Sequence, residues 1–203
     1  MKKIVAAVIV IIIAVTGISL FTSDNTESYR EQAKKEIASR SRYLQHNEQS
    51  PFNLHDIPYS EPEYYPYDPE YRVEARVDRN VAKDILRVGT SDGKFQAYTR
   101  FARLDFTLKG KDCTLILLKP RGFGAADVYY LAFADDTSGQ ETYGGGRYLD
   151  VVPGKSDKLI LDFNLAYNPY CAYAPDYSCP LPPGENILNL SIEAGEKKFK
   201  SSN

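Results

Sequence analysis

Residues 103–108 read Arg-Leu-Asp-Phe-Thr-Leu, with apolar side chains at every second position. A period of two is typical of a β-strand that has one buried and one solvated face. The next four residues, Lys109-Gly110-Lys111-Asp112, have turn-forming character, and a second apolar run from Cys113 to Leu118 follows them. The stretch therefore predicts a β-hairpin.

Similar short runs occur on both sides of this hairpin, separated by turn signals such as Ser91-Asp92-Gly93 and Pro153-Gly154. Together they predict a mostly β fold: an antiparallel β-sandwich or barrel-like domain of about eight strands over residues 71–203. The predicted strands are Tyr71 to Val77, Ile85 to Thr90, Phe95 to Leu108, Cys113 to Leu118, Val128 to Phe133, Arg147 to Val152, Lys158 to Phe163 and Ile187 to Ala194.

Size and composition indicate one globular domain. The chain has 203 residues, of which 43% are hydrophobic and 26% charged, close to the values of folded soluble domains. With 25 basic and 27 acidic residues the net charge is -2, and no basic block stands out. Because nucleic-acid binding requires a basic face, we predict that nucleic acid is not a partner.

The N-terminus predicts a membrane segment. Lys2 and Lys3 precede an uncharged aliphatic run over residues 4–21, long enough for one transmembrane helix, so residues 1–23 are interpreted as a signal anchor. Basic residues stay on the cytoplasmic side, which places the C-terminal domain outside the cytoplasm. The alternative is a cleaved signal peptide, which would release a secreted or periplasmic domain.

Residues 24–70 are predicted to connect this segment to the β domain. From Ser28 to about Gln45 the apolar residues recur with a helical period and indicate a stem helix, whose basic face is either solvated or in contact with anionic lipid. Pro58, Pro62, Pro66 and Pro69 then alternate with tyrosines, a pattern typical of an extended segment.

A candidate ligand site begins at a glycine-rich stretch. Successive glycines allow positive φ and close backbone approach, and a neighbouring arginine adds a bidentate donor, so the stretch could bind a carboxylate or phosphate. The alternative is a tight loop with Arg147 paired to Asp135, Asp136 or Glu141. The residues assigned to this part of the site are Tyr143, Gly144, Gly145, Gly146 and Arg147.

A second polar segment contributes Asp162, Asn164 and Asn168 to the same predicted site. These are hard oxygen donors at close spacing, so Ca²⁺ or Mg²⁺ is one conceivable ligand, although the spacing is not that of an EF-hand. Asp and Asn also cap turns by bonding their own backbone, and this structural alternative stays open. No metal centre or cofactor is assigned from the sequence.

Cys171 and Cys179 enclose seven residues, a loop that a disulfide can close in an exported domain. A thiolate nucleophile or metal pair is the alternative. The chain has two histidines, both far upstream at His46 and His55, which argues against a Cys–His dyad and against common zinc catalysis.

Three strings in this region, TYGGGRYLD, DFNLAYNPYCAY and CPLPPGEN, followed by Ala194-Gly195-Glu196-Lys197, closely resemble a family of uncharacterised bacterial and archaeal proteins of about this length. The resemblance is strongest from Phe133 to Lys197. It implies a shared domain of unknown function and a shared site, and it implies no particular reaction.

The functional hypothesis that follows is a membrane-anchored, extracytoplasmic binding or interaction domain for a small polar or anionic ligand or a metal. One alternative is a hydrolase-like enzyme of the cell envelope, with Glu141 or Asp162 as acid or base and Arg147 as a clamp. Another is a structural protein that docks an envelope partner.

Overall fold

The computed structural model describes residues 26–122 and 128–200. Helix α1 covers residues 26–46, and helix α2, Pro51–Leu54, follows it. Within the described ranges, none of the helices is both long enough and apolar enough to cross a bilayer. The predicted membrane segment lies outside these ranges, so both the anchor and the exported location stay predictions.

Seven strands occur in the described residues. They are β1 Arg72–Asp78, β2 Ile85–Gly89, β3 Phe95–Leu108, β4 Lys111–Pro120, β5 Ala132–Phe133, β6 Arg147–Tyr148 and β7 Lys158–Asp162. The described part of the chain also contains four short 3₁₀ helices: η1 Pro69–Tyr71, η2 Phe163–Leu165, η3 Tyr170–Ala172 and η4 Gly184–Asn186.

The long strand β3 organises the main sheet. It pairs with β4 along one edge, which confirms the predicted hairpin, and with β2 and then β1 along the other; β7 pairs with β1. A register shift between Arg100 and Ala102 marks a bulge, where β3 passes from β2 to β1. All named strand pairs are antiparallel, as predicted.

Neither sheet closes into a barrel within the described residues, so the barrel-like alternative does not hold. The small second sheet is the pair β5 and β6. The predicted strand over residues 187–194 is also wrong, since this segment forms no ladder. Both side chains and backbone bond this segment instead: Asp135 accepts from the Ile192 N–H and Arg147 donates to the Ile192 carbonyl. The backbone of residues 134–136 bonds Leu188 and Leu190.

The largest core cluster lies on one face of the main sheet, and a smaller cluster with Ile116 and Leu118 of β4 lies on the other. On β3, Leu104, Phe106 and Leu108 are buried. Arg103 and Asp105, which alternate with them in sequence, form ion pairs on the other face, as the alternation predicts. Burying apolar faces of this size supplies the main driving force for folding.

Helix α1 packs against the β domain through the stripe predicted for a stem helix. Ala33 and Leu44 are buried, and Leu44 joins Phe52 and Tyr173 in a small separate cluster. The helix is already formed at residue 26, two residues before the predicted start. Because α1 crosses the loops that follow β6 and β7, it forms one wall of a cleft.

Candidate functional site

The glycine-rich stretch forms a tight turn before β6. Gly146 has φ +80°, and a Cβ at this position would lie 2.6 Å from the Phe133 carbonyl oxygen and 2.4 Å from Cγ of Pro182. Gly144, by contrast, has room for a side chain at ordinary contact distance. Close backbone packing, rather than an open concavity, therefore explains the glycine at 146.

We predict that Gly146→Ala lowers the free energy of unfolding by roughly 2 kcal/mol, because it combines positive φ with a clash against backbone. Gly144→Ala is the matched control and should unfold like the wild type. Urea-induced unfolding followed by circular dichroism measures both. Equal midpoints for the two variants would contradict the account of Gly146.

Arg147 is buried, with 1% of its surface exposed. Its Nη2 donates to Asp135 Oδ2 at 3.2 Å and to the Ile192 carbonyl at 2.9 Å, and its Nη1 donates to the Ala194 carbonyl. The paired arrangement considered from the sequence is thus the one found. Arg147 holds the C-terminal segment in place and does not present its guanidinium to solvent.

Asp162 and Asn164 also have structural partners. Asp162 caps η2 by accepting from the Asn164 backbone N–H at 3.1 Å and from its side-chain amide at 2.8 Å. Asn164 in turn bonds both backbone groups of Asp68, each at 2.9 Å, which fastens the Pro/Tyr-rich segment to the domain. Burial raises the pKa of Asp162, although these hydrogen bonds and Arg72 oppose the shift.

No group of three or more His, Cys, Asp or Glu side chains in the described residues could hold a metal ion. The carboxylates proposed for hydrolysis are also dispersed. Glu141 is exposed, Asp162 caps η2, and Arg147 is committed to Asp135. The structure therefore does not bring together the acid, base and clamp of the enzyme hypothesis.

Asn168 belongs to a buried cluster around Glu196, which is fully buried. Its backbone N–H and side-chain amide donate to the two carboxylate oxygens of Glu196 at 2.9 and 2.7 Å, and the Tyr173 hydroxyl donates at 2.7 Å. Burial raises the pKa of Glu196 to about 7, although these hydrogen bonds act in the opposite direction. Asn168 Oδ1 is itself buried and has no partner in the described chain.

Sequence reasoning did not assign Glu196 to a site. A carboxylate between Ala194-Gly195 and Lys197 looks like an ordinary surface residue. The only trace in the sequence is the glycine directly before Glu196. In the structure, Gly195 adopts φ +76°, and a Cβ there would lie 2.7 Å from two backbone carbonyl oxygens. A glycine required by close packing indicates that its neighbour is drawn into the interior.

Two adjoining cavities, of about 390 and 300 Å³, run beside α1, and we call them together the α1 cleft. Three side chains, Glu36, Arg40 and Asp150, line both cavities. The larger cavity is also lined by Tyr29, Gln32, Ala33, Arg72, Leu149, Ile160, Asp162 and Leu165, and the smaller by Ser39, Tyr43, Leu44, Tyr167, Asn168, Tyr170 and Tyr173.

Arg40 lies at the junction of the two cavities. Its guanidinium stacks 3.8 Å from the centroid of the Tyr167 ring, and its Nη2 lies 3.3 Å from Asp150 Oδ2. The Tyr167 hydroxyl donates to the other Asp150 oxygen at 2.7 Å. The cation–π contact with Tyr167, and the bonds that Arg40 and Tyr167 each make to Asp150, hold the three side chains in one geometry.

The α1 cleft contains two of the predicted ligand residues, Asp162 at one end and Asn168 at the other. The glycine turn and Arg147 do not line it. Its charged side chains are the carboxylates of Glu36, Asp150 and Asp162 and the guanidinium groups of Arg40 and Arg72, so the walls carry one excess negative charge.

Tyr143 and the two cysteines form a separate cluster. The Tyr143 hydroxyl donates to Cys171 Sγ at 3.5 Å, and the Cys171 backbone N–H donates to Cys179 Sγ at 3.1 Å. The predicted disulfide partners are thus neighbours, and both are free thiols in this structure. The disulfide itself stays a prediction.

Comparison with known proteins shows the family to which this domain belongs. A family described as "Protein of unknown function (DUF1684)" matches residues 58–197. The solution NMR structure of an uncharacterized protein from Haloarcula marismortui is similar to this chain at 34% sequence identity and a TM-score of 0.65, covering 86% of this chain and 96% of that one. None of the curated proteins compared with the chain matches it. The chain belongs to the DUF1684 family of proteins of unknown function.

Proposed function

We propose that the domain is a binding module that holds a small, donor-rich polar molecule, such as a sugar or an amine, in the α1 cleft. The observation that carries this proposal is Asn168, which lines a tyrosine-rich cavity and whose buried Oδ1 has no hydrogen-bond partner among the described residues. A buried acceptor without a partner costs free energy, which a ligand hydroxyl or ammonium group could recover.

The charge of the α1 cleft favours such a ligand over an anion. Three carboxylates face two guanidinium groups, and Arg40 is already paired with Asp150. An added anion would meet net repulsion, whereas hydroxyl and ammonium groups would find acceptors. A cavity of about 300 Å³ is at the lower end of small-molecule sites.

Tyrosines make up much of the remaining wall. Tyr43, Tyr170 and Tyr173 line the smaller cavity together with Tyr167. The rings offer apolar faces for carbon–hydrogen groups. The hydroxyls of Tyr167 and Tyr173 already donate to Asp150 and Glu196 and keep lone pairs that can accept from a ligand. This combination suits ligands with alternating apolar and hydroxyl-bearing faces, which is the surface of a sugar ring.

The test is thermal unfolding with glucose, glucosamine and inorganic phosphate at concentrations rising through the millimolar range. A ligand of the folded state raises the midpoint with concentration. We expect both sugars to raise it and phosphate to have no effect.

Two variants make the test specific to the α1 cleft. In Arg40→Gln both sugar shifts should be lost, and in Asp150→Asn the glucosamine shift should fall more than the glucose shift, because a negative charge is removed. Lys94→Ala, on the exposed turn between β2 and β3, is the control and should keep both shifts. A shift with phosphate alone, no shift with either sugar, or full shifts in Arg40→Gln would contradict the proposal.

A further inference from the structure

Cys171 and Cys179 lie beside each other outside the α1 cleft. Cys171 is in η3, and Cys179 is eight residues later in the chain. The Cys171 backbone N–H donates to Cys179 Sγ at 3.1 Å, so the second sulfur lies directly beside the backbone of the first cysteine. From this position a short movement of the side chains brings the two sulfurs to bonding distance.

The segment around Cys179 is held firmly. The Cys179 N–H donates to Ser91 Oγ at 3.0 Å, and its carbonyl accepts from the Ser91 N–H at 2.8 Å. Ser91 belongs to the turn between β2 and β3, which anchors this thiol to the main sheet.

The two thiols differ in access. Cys179 is buried at 7% exposure, whereas Cys171 is partly exposed. The third cysteine, Cys113, is buried in β4 and takes no part in the pair. A reagent from solvent therefore reaches Cys171 first.

The two thiols also differ in acidity. Hydrogen bonds from the Cys179 thiol and the Tyr143 hydroxyl lower the pKa of Cys171 to about 6, against the effect of burial. The pKa of Cys179 is raised, because it keeps the proton that the pair shares and because it is buried. The thiolate is the reactive form of cysteine, so access and acidity select the same residue.

We propose that Cys171 and Cys179 are a reversible dithiol–disulfide pair in which Cys171 is the thiol that first attacks a small-molecule disulfide. This inference goes beyond ligand binding in the α1 cleft and does not depend on it.

The chemistry balances in two exchanges. The Cys171 thiolate attacks one sulfur of the small disulfide, forming a mixed disulfide and releasing one small thiolate. Cys179 then loses its proton, attacks the Cys171 sulfur and releases the second small thiolate. The protein loses two electrons, the small disulfide is reduced to two thiols, and the two protein thiol protons end on those products.

The test is a titration of the full-length protein in mixtures of reduced and oxidised glutathione, quenched with an alkylating reagent and analysed by mass spectrometry of the peptides. As the oxidised fraction rises, we expect a Cys171–Cys179 disulfide to form, and reduction should reverse it. Cys113→Ser is the control and should give the wild-type titration.

Two variants test the order of reaction. Cys179→Ser should trap glutathione on Cys171, whereas Cys171→Ser should react at Cys179 at a rate on the order of tenfold lower, since the remaining thiol is buried and less acidic. If both cysteines of the wild type stayed free thiols at every glutathione ratio, the proposal that they form a reversible disulfide would be overturned. Equal rates in the two variants would overturn the assignment of Cys171 as the first nucleophile.

Discussion

Replacing Arg147 by alanine is expected to lower the free energy of unfolding by about 3 to 5 kcal/mol, the cost of removing one partner from a buried ion pair. Both side chains of the pair are inaccessible, with 1% of Arg147 and 0% of Asp135 exposed. The variant would leave Asp135 without its cation and the carbonyls of Ile192 and Ala194 without their donors.

Urea-induced unfolding of Arg147→Ala, Arg147→Lys and Lys158→Ala measures this effect. Lysine keeps the charge but cannot form the planar set of hydrogen bonds that arginine forms. The free energy of unfolding of Arg147→Lys should therefore lie between those of Arg147→Ala and the wild type. Lys158 forms an exposed pair with Glu74, and its replacement should leave the midpoint unchanged.

The result also separates two roles for Arg147. An arginine retained to bind an anion commonly destabilises the empty protein, so its removal would leave stability unchanged or increased. A stable Arg147→Ala protein would therefore contradict the structural role and restore the anion-site interpretation of TYGGGRYLD.

The stability of the wild-type protein should fall as the pH rises from 4.5, the ordinary pKa of a glutamate, to about 7, its value for Glu196 in the folded protein. In this window the folded state keeps a proton on Glu196 that the unfolded state has lost. Unfolding then releases a proton, so a higher pH favours it, and above pH 7 the effect is complete. A shift of this size corresponds to about 3 kcal/mol.

Glu196→Gln isolates this contribution, because glutamine has the shape of the protonated side chain and does not titrate. We expect the stability difference between wild type and Glu196→Gln to change across the window, with the wild type losing more as pH rises. Glu193→Gln, at an exposed position three residues earlier, is the matched control. Its stability should change with pH in parallel with that of the wild type. Parallel curves for Glu196→Gln and the wild type would contradict the raised pKa.

The main sheet could be predicted from sequence because its signals are local. The alternation of Leu104, Phe106 and Leu108 reports which face is buried, and the residues after it report the turn, without reference to any distant residue. The same method failed at residues 187–194. There the segment is held by the side chains of Asp135 and Arg147 and by single backbone bonds to residues 134–136, all more than forty residues away in sequence.

The candidate site divides in a similar way. Asp162 and Asn168 were assigned from composition and do line the α1 cleft, while Arg147 was assigned by the same reasoning and is buried in the core. Composition identifies polar residues at turns but not which way their side chains point. The helical pattern places Arg40 on the basic face of the stem helix, and nothing in its neighbourhood reveals that Tyr167 and Asp150 lie opposite.

By itself, the sequence determined the antiparallel β class, the hairpin of β3 and β4, the stem helix and the concentration of polar turns after Phe133, because each rests on residues close together in the chain. Only the tertiary structure decided that Asn168, Tyr173 and Glu196 share one buried cluster and that α1 closes a cleft beside it. The physical reason is that these contacts join residues 23 or more positions apart, and their pairing depends on how the whole core packs.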